Sequence, residues 1–183
     1  MYYEIDIAGL KRNLKLFPVS QDLQIAAFIL YGDVEICQHA AEKLLAKAPE
    51  FDIMMTAASK SIPLIYEMAR QSEHNDYVVA LKAQKVYMGE PLSVEVNSIT
   101  TFEKQKLWIG EDDVAKLKGK RVLVLDDVIS TGESLKAICE LAEKAGGQVV
   151  GKMAVLAEGD SYYREDISVL AKLPLFDKDG NVL

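Results

Sequence analysis

RVLVLDDVISTGESLKA, residues 121–137, is the stretch on which the fold turns. The residues from Arg121 to Leu125 are almost all aliphatic, and two carboxylates, Asp126 and Asp127, follow side by side. A small polar turn containing Gly132 comes next, and then an amphipathic run from Glu133. A continuous apolar run of this kind suits a strand buried on both faces, as central parallel strands are. The strand ends on two charges just before a helix, at the edge where open parallel sheets bind their ligands. Gly132 lets the backbone approach closely, while Ser130, Thr131 and Ser134 offer hydroxyls. The unpaired amides at the helix start add positive potential, so the turn reads as a phosphate cradle.

A bare phosphate beside two carboxylates is repelled, so the ligand must keep the two features apart. A sugar phosphate does this, with its phosphate on the helix terminus and its hydroxyls on the acids. A magnesium ion also suits the place, because it seeks oxygen and keeps several waters. Taken alone, the motif is explained equally well by a helix cap beside solvated aspartates. A phospho-accepting aspartate would need further acids near the end of the first strand, and the early chain offers no obvious group.

Working outward, helix and strand signals alternate. Residues 33–48 place Val34, Cys37, Ala41, Leu44 and Leu45 on one face of a helix, with Asp33 as its cap. Phe51 to Thr56 reads as a buried strand, followed by a polar turn and a helix with Pro63 in its first turn. Tyr77 to Leu81 is the next strand. Ser93 to Ile99 and Lys106 to Ile109 predict an antiparallel excursion. A brief helix stops at Gly119, a helix after Gly132 closes at Gly146 and Gly147, and residues 148–158 form another strand. This alternation predicts an α/β fold with a mainly parallel sheet flanked by helices. The segments at roughly 1–30 and 158–183 fit the alternation poorly and are expected to form a small hood over one edge of a single domain.

Composition narrows the class. The 183 residues carry 28 acids against 21 basic residues, a net charge of -7, which argues against a general nucleic-acid or membrane-surface partner. The two cysteines, Cys37 and Cys139, are far apart and fit core thiols in a reducing compartment. No apolar signal core or membrane-length stretch is visible, so a cytoplasmic place is expected.

The segment LVLDDVISTGESL strongly resembles the phosphoribosyl-pyrophosphate motif of type I phosphoribosyltransferases. YYEIDIAGLKRNL, SITTFEKQKL, KAGGQVVG, VLAEGD and LPLF fall in the order expected for the adenine phosphoribosyltransferase-like purine salvage branch. The resemblance implies the type I fold and transfer of a phosphoribosyl group to a purine, adenine first, with hypoxanthine, guanine or xanthine as alternatives. A non-catalytic sensor of the same ligands is the rival from another class. By the resemblance, Asp126 and Asp127 hold the ribose hydroxyls, and Glu103, in a mobile loop at residues 97–106 that closes over the site, is a further catalytic candidate. Val128, Ile129, Ser130, Thr131, Gly132, Glu133 and Ser134 hold the 5′-phosphate. Ala58, Ser59, Lys60 and Ser61 form the pyrophosphate loop with Lys82, and Lys85 is a weaker candidate. Leu175 and Phe176 belong to the hood beside the base, where Phe176 either stacks on a purine or fills the hood's own core. Magnesium arrives with the ligand, touching Asp126 and Asp127 at most, and a homodimer is expected.

Three departures fall on the pyrophosphate side. The loop from Ala57 to Ser61 lacks the expected acid and ends on serine, and Leu81 stands where arginine is usual. Phe102 replaces a usual glycine. The ribose-phosphate motif is intact, so the expectation is ligand binding with slow transfer or a different base.

Overall fold

A computed structural model describes residues 1–96 and 105–183. The chain opens with β1 (Tyr2–Ile7) and β2 (Leu10–Pro18), joined by a two-residue turn in which Ala8 and Gly9 both have positive φ. That geometry matches the twist of an antiparallel hairpin. β3 (Gln24–Ala27) adds to β2, and the chain then enters α1 (Val34–Leu45). Asp33 caps α1, accepting a bond from the Ile36 amide at 3.1 Å. Its carboxylate also takes a two-pronged contact from Arg12, which ties β2 to the helix start. The buried face of α1 is Ile36, Cys37, Ala40, Ala41 and Leu44. Val34 is instead 66% exposed, because the helix is rotated by part of a turn from the face its sequence suggests.

β4 (Ile53–Ala57), α2 (Ile62–Gln71) and β5 (Tyr77–Ala80) follow, then the hairpin of β6 (Leu92–Val96) and β7 (Gln105–Ile109). Paired backbone bonds between Leu81 and Trp108 fasten this hairpin beside β5. After α3 (Glu111–Leu117) come β8 (Arg121–Ile129), α4 (Glu133–Lys144) and β9 (Gln148–Glu158). A short 3-10 turn at Gly159–Tyr163 leads to β10 (Ser168–Leu173) and β11 (Leu175–Phe176).

The main sheet is parallel, in the order β10-β9-β8-β4-β5. Alternate residues of β8 feed opposite faces. Leu123 and Leu125 join a core with α1, α2 and the hood, whereas Val122 and Val124 pack with α4 and the hairpin. The buried Thr56 hydroxyl donates to the Leu125 carbonyl at 2.7 Å, holding the ends of β4 and β8 together where the site lies.

The hood is a four-stranded antiparallel sheet, β1-β2-β3-β11, drawn from both ends of the chain. One correction concerns its C-terminal share. Ser168–Leu173 lies within the segment expected in the hood but pairs with β9 and extends the main sheet. The pairing uses the open edge of β9, and only Leu175–Phe176 crosses over to β3. Both cysteines are free, and burial pushes each thiol up to about 11, as expected of packed thiols. No helix among the described residues is long and apolar enough to cross a membrane.

Candidate active site

The C-terminal ends of β4, β5 and β8 open into a crevice of about 230 Å³. It is lined by Asp126, Asp127, Val128 and Ser134, by residues 57–61 and Lys82, and by Val96, Gln105, Lys106 and Leu107 of the hairpin. The sequence assigns Lys106 to the end of a loop and the start of a strand, with no role in the site. Its alternation with Trp108 in β7 is the signal that its side chain shares a face with that ring, and the structure sets its ammonium 5.8 Å from the ring centre. Glu103 and Phe102 lie outside the described residues.

The two acids differ in surroundings. Asp126 Oδ1 accepts from the Ser61 hydroxyl at 3.0 Å and from the Asp127 amide at 2.9 Å. Burial, and then the charge of Asp127, push the Asp126 carboxyl well above the ordinary carboxylate range. Asp127 is only 6% exposed, and its Oδ2 has no hydrogen-bond partner among the described residues. Lys60 Nζ stands 3.6 Å from that oxygen, near enough for attraction and too long for a hydrogen bond. The crevice thus contains a buried carboxylate oxygen with spare accepting capacity.

The pyrophosphate-loop residues do not all act alike. Ala58, Ser59 and Lys60 line the crevice, and the Ala58–Ser59 peptide is cis. Tyr31, from the turn after β3, donates its hydroxyl to Ser59. Ser61 also lines the crevice but is 1% exposed and donates its hydroxyl proton to Asp126, so its side chain supports an acid. Lys82 reaches the crevice, whereas Lys85 does not line it.

The turn after β8 divides in a similar way. Val128 and Ser134 face the crevice, and Ile129 is buried in the core, leaving only its backbone for a ligand. Gly132 takes φ 83 immediately before α4, a left-handed conformation that suits glycine. Thr131, Gly132 and Glu133 border a neighbouring concavity together with Lys136, Lys152 and Arg164. Ser130 donates its hydroxyl to Glu158 at 2.6 Å, a partner that short-range sequence patterns do not signal.

Phe176 is 1% exposed and packs edge-on against Tyr3, at 4.9 Å between ring centres. Its ring fills the hood's own core, one of the two roles open to it from sequence. Leu175 is half-buried and covers Gly159, where a Cβ would come within 3.1 Å of it.

Adjacent acids on a buried strand and a left-handed glycine opening a helix are the features by which the sequence resembles the phosphoribosyl motif. Residues 32–176 match the family described as "Phosphoribosyl transferase domain". The chain belongs to that family.

As a phosphoribosyltransferase it is similar to a hypoxanthine/guanine phosphoribosyltransferase of Methanococcus voltae, 34% identical over 177 residues, which are 93% of this chain and 88% of that protein. It is also similar to an adenine phosphoribosyltransferase of Thermosipho africanus, 31% identical over 154 residues, 84% of this chain and 88% of that protein. Among solved structures, an adenine phosphoribosyltransferase from Thermoanaerobacter pseudethanolicus superposes with a TM-score of 0.72 at 21% identity. The superposition covers 87% of this chain and 95% of that one, and supports the type I fold. The enzyme is a purine phosphoribosyltransferase with the parallel sheet and hood its sequence predicts.

Proposed function

We propose that the enzyme transfers the phosphoribosyl group of phosphoribosyl pyrophosphate to a 6-oxopurine, hypoxanthine or guanine. The observation that carries the transfer is a single crevice that brings Asp126 and Asp127 together with Lys60 and Lys82. In this reading the acids hold the ribose hydroxyls, and the turn at 128–134 with the start of α4 holds the 5′-phosphate. A ring nitrogen of the base bonds to C1 of the ribose as the C1–oxygen bond to pyrophosphate breaks. Positive charge growing at C1 is stabilised by the carboxylates, and negative charge on the leaving group by Lys60, Lys82 and the amides of 58–60. The hairpin, which lines part of the crevice, helps to exclude water and so protects the activated sugar from hydrolysis.

The residues fit a magnesium ion that arrives with the ligand. Among the described residues no group of three metal-ligating side chains is present, while Asp127 Oδ2 offers one unbonded carboxylate oxygen beside the crevice. Bound there, the ion would offset the charge of the pyrophosphate. A cytoplasmic homodimer is part of the same proposal.

The choice of base rests on the Methanococcus voltae relative, whose match spans nearly the whole chain. Adenine, the base expected from sequence, is the second reading and is favoured by the Thermosipho africanus relative. Steady-state turnover with phosphoribosyl pyrophosphate and each of adenine, hypoxanthine, guanine and xanthine tests the proposal. Hypoxanthine or guanine is expected to give the highest kcat/KM, and preference for adenine reverses the base assignment. Turnover typical of salvage enzymes sinks the idea that the altered loop slows transfer, whereas tight ligand binding with no turnover favours a sensor. In the same assay Asp127→Asn is expected to lose about a hundredfold or more in kcat/KM with its thermal unfolding intact.

A further inference from the structure

Three contacts tie the turn after β8 to one segment following β9. The Ser130 hydroxyl donates to Glu158 Oε2 at 2.6 Å. The Ser161 hydroxyl donates to the Ser130 carbonyl, and the Arg164 guanidinium occupies the place where a Cβ on Gly132 would sit. Glu158 is the last residue of β9, so its carboxylate stands at the C-terminal end of the sheet, next to the turn after β8. A serine hydroxyl has a single proton to donate. While that proton is held by Glu158, it is not available to a phosphate oxygen arriving at the start of α4.

We infer that Glu158 is a positioning residue that holds the Ser130 hydroxyl away from the phosphate cradle, so that a bound phosphate must draw this hydroxyl off Glu158. The inference rests on the phosphate-cradle reading of residues 128–134. It gives Glu158 an unusual sign: the residue weakens ligand binding, and it acts through Ser130. Substrate and product share the 5′-phosphate, so the same exchange loosens both and favours release of the nucleotide.

The test is titration calorimetry of ribose 5-phosphate, with inorganic phosphate alongside, on the full chain and on Glu158→Gln, Ser130→Ala and the double variant. Glutamine keeps the shape of the side chain, and its amide can donate to Ser130, which frees the hydroxyl proton. Glu158→Gln is expected to tighten ribose 5-phosphate by about three- to tenfold, the range of one neutral hydrogen bond. The gain should vanish in the Ser130→Ala background. KM for phosphoribosyl pyrophosphate should fall by the same factor, with KM for the base unmoved. Glu158→Ala should act in the same direction, so a folding defect in one variant leaves the other to decide. Unchanged or weaker binding overturns the inference, as does a gain that survives Ser130→Ala. Inorganic phosphate tightened by Glu158→Gln, without ribose 5-phosphate binding, keeps the inference and refutes the phosphoribosyl reading. Wild-type binding of neither ligand overturns both.

Discussion

Removing the Ser61 hydroxyl should shift the pH dependence of catalysis without disturbing the fold. Asp126 is raised by burial and by its neighbour Asp127, and the bond from Ser61 at 3.0 Å works in the opposite direction. A hydrogen bond to an ionised acceptor contributes about 1.5–3 kcal/mol, against about 0.5–1.5 for a neutral one. Ser61→Ala therefore penalises the ionised carboxyl relative to the protonated one by about 1–1.5 kcal/mol. One pH unit corresponds to about 1.4 kcal/mol, so the carboxyl should rise by about one further unit. If the ionised pair supports the positive charge at C1, kcat/KM falls as pH falls through the raised value, and Ser61→Ala moves that acid limb upward. The loss should approach tenfold on the limb and disappear on the alkaline plateau.

The assay is kcat/KM for phosphoribosyl pyrophosphate across the pH range, which reports the free enzyme. The limb belongs to the Asp126–Asp127 pair jointly, and the comparison between variants isolates the part due to Ser61. A limb that stays in place, or moves down, refutes the role assigned to the Ser61–Asp126 bond. A uniform loss at every pH would point to a displaced loop instead.

Two further outcomes follow from geometry. Gly132→Ala places a side chain at φ 83 and drives its Cβ into the Arg164 guanidinium, so denaturant unfolding should show a loss of about 1–2 kcal/mol, with a raised KM for phosphoribosyl pyrophosphate. Phe176→Ala should cost about 3–5 kcal/mol in the same measurement because the ring fills the hood's core, while Phe176→Leu should leave KM for the base within about twofold. A large change in that KM would return Phe176 to the ligand.

What could be read in the sequence was local or periodic. The aliphatic run of β8, the two acids that follow it within the strand and the glycine before α4 lie within a dozen positions, and each has a direct physical signature. The alternation of helices and buried strands carried the parallel sheet in the same way. The rest depends on partners brought together by folding. Ser61 and Asp126 are 65 positions apart, and Ser130 and Glu158 are 28 apart, so no pattern around one announces the other. The residues of β10 are half-buried, a weak periodic signal, and only the free edge of β9 decides that they join the main sheet. Phe176 could be assigned to a ligand or to a core only once Tyr3 was seen against it.

The hood joins residues from opposite ends of the chain, with Leu175 paired to Ile25 and the Gln24 amide bonded to the Asp177 carbonyl 153 positions away. During synthesis β1, β2 and β3 emerge early and wait with one sheet edge open, while the parallel sheet is completed. The last strand that closes the hood reaches it only after β10 has docked. The hood is thus expected to close last, because its closing contact spans most of the chain. Until then the parallel sheet stands complete while the hood keeps an open edge.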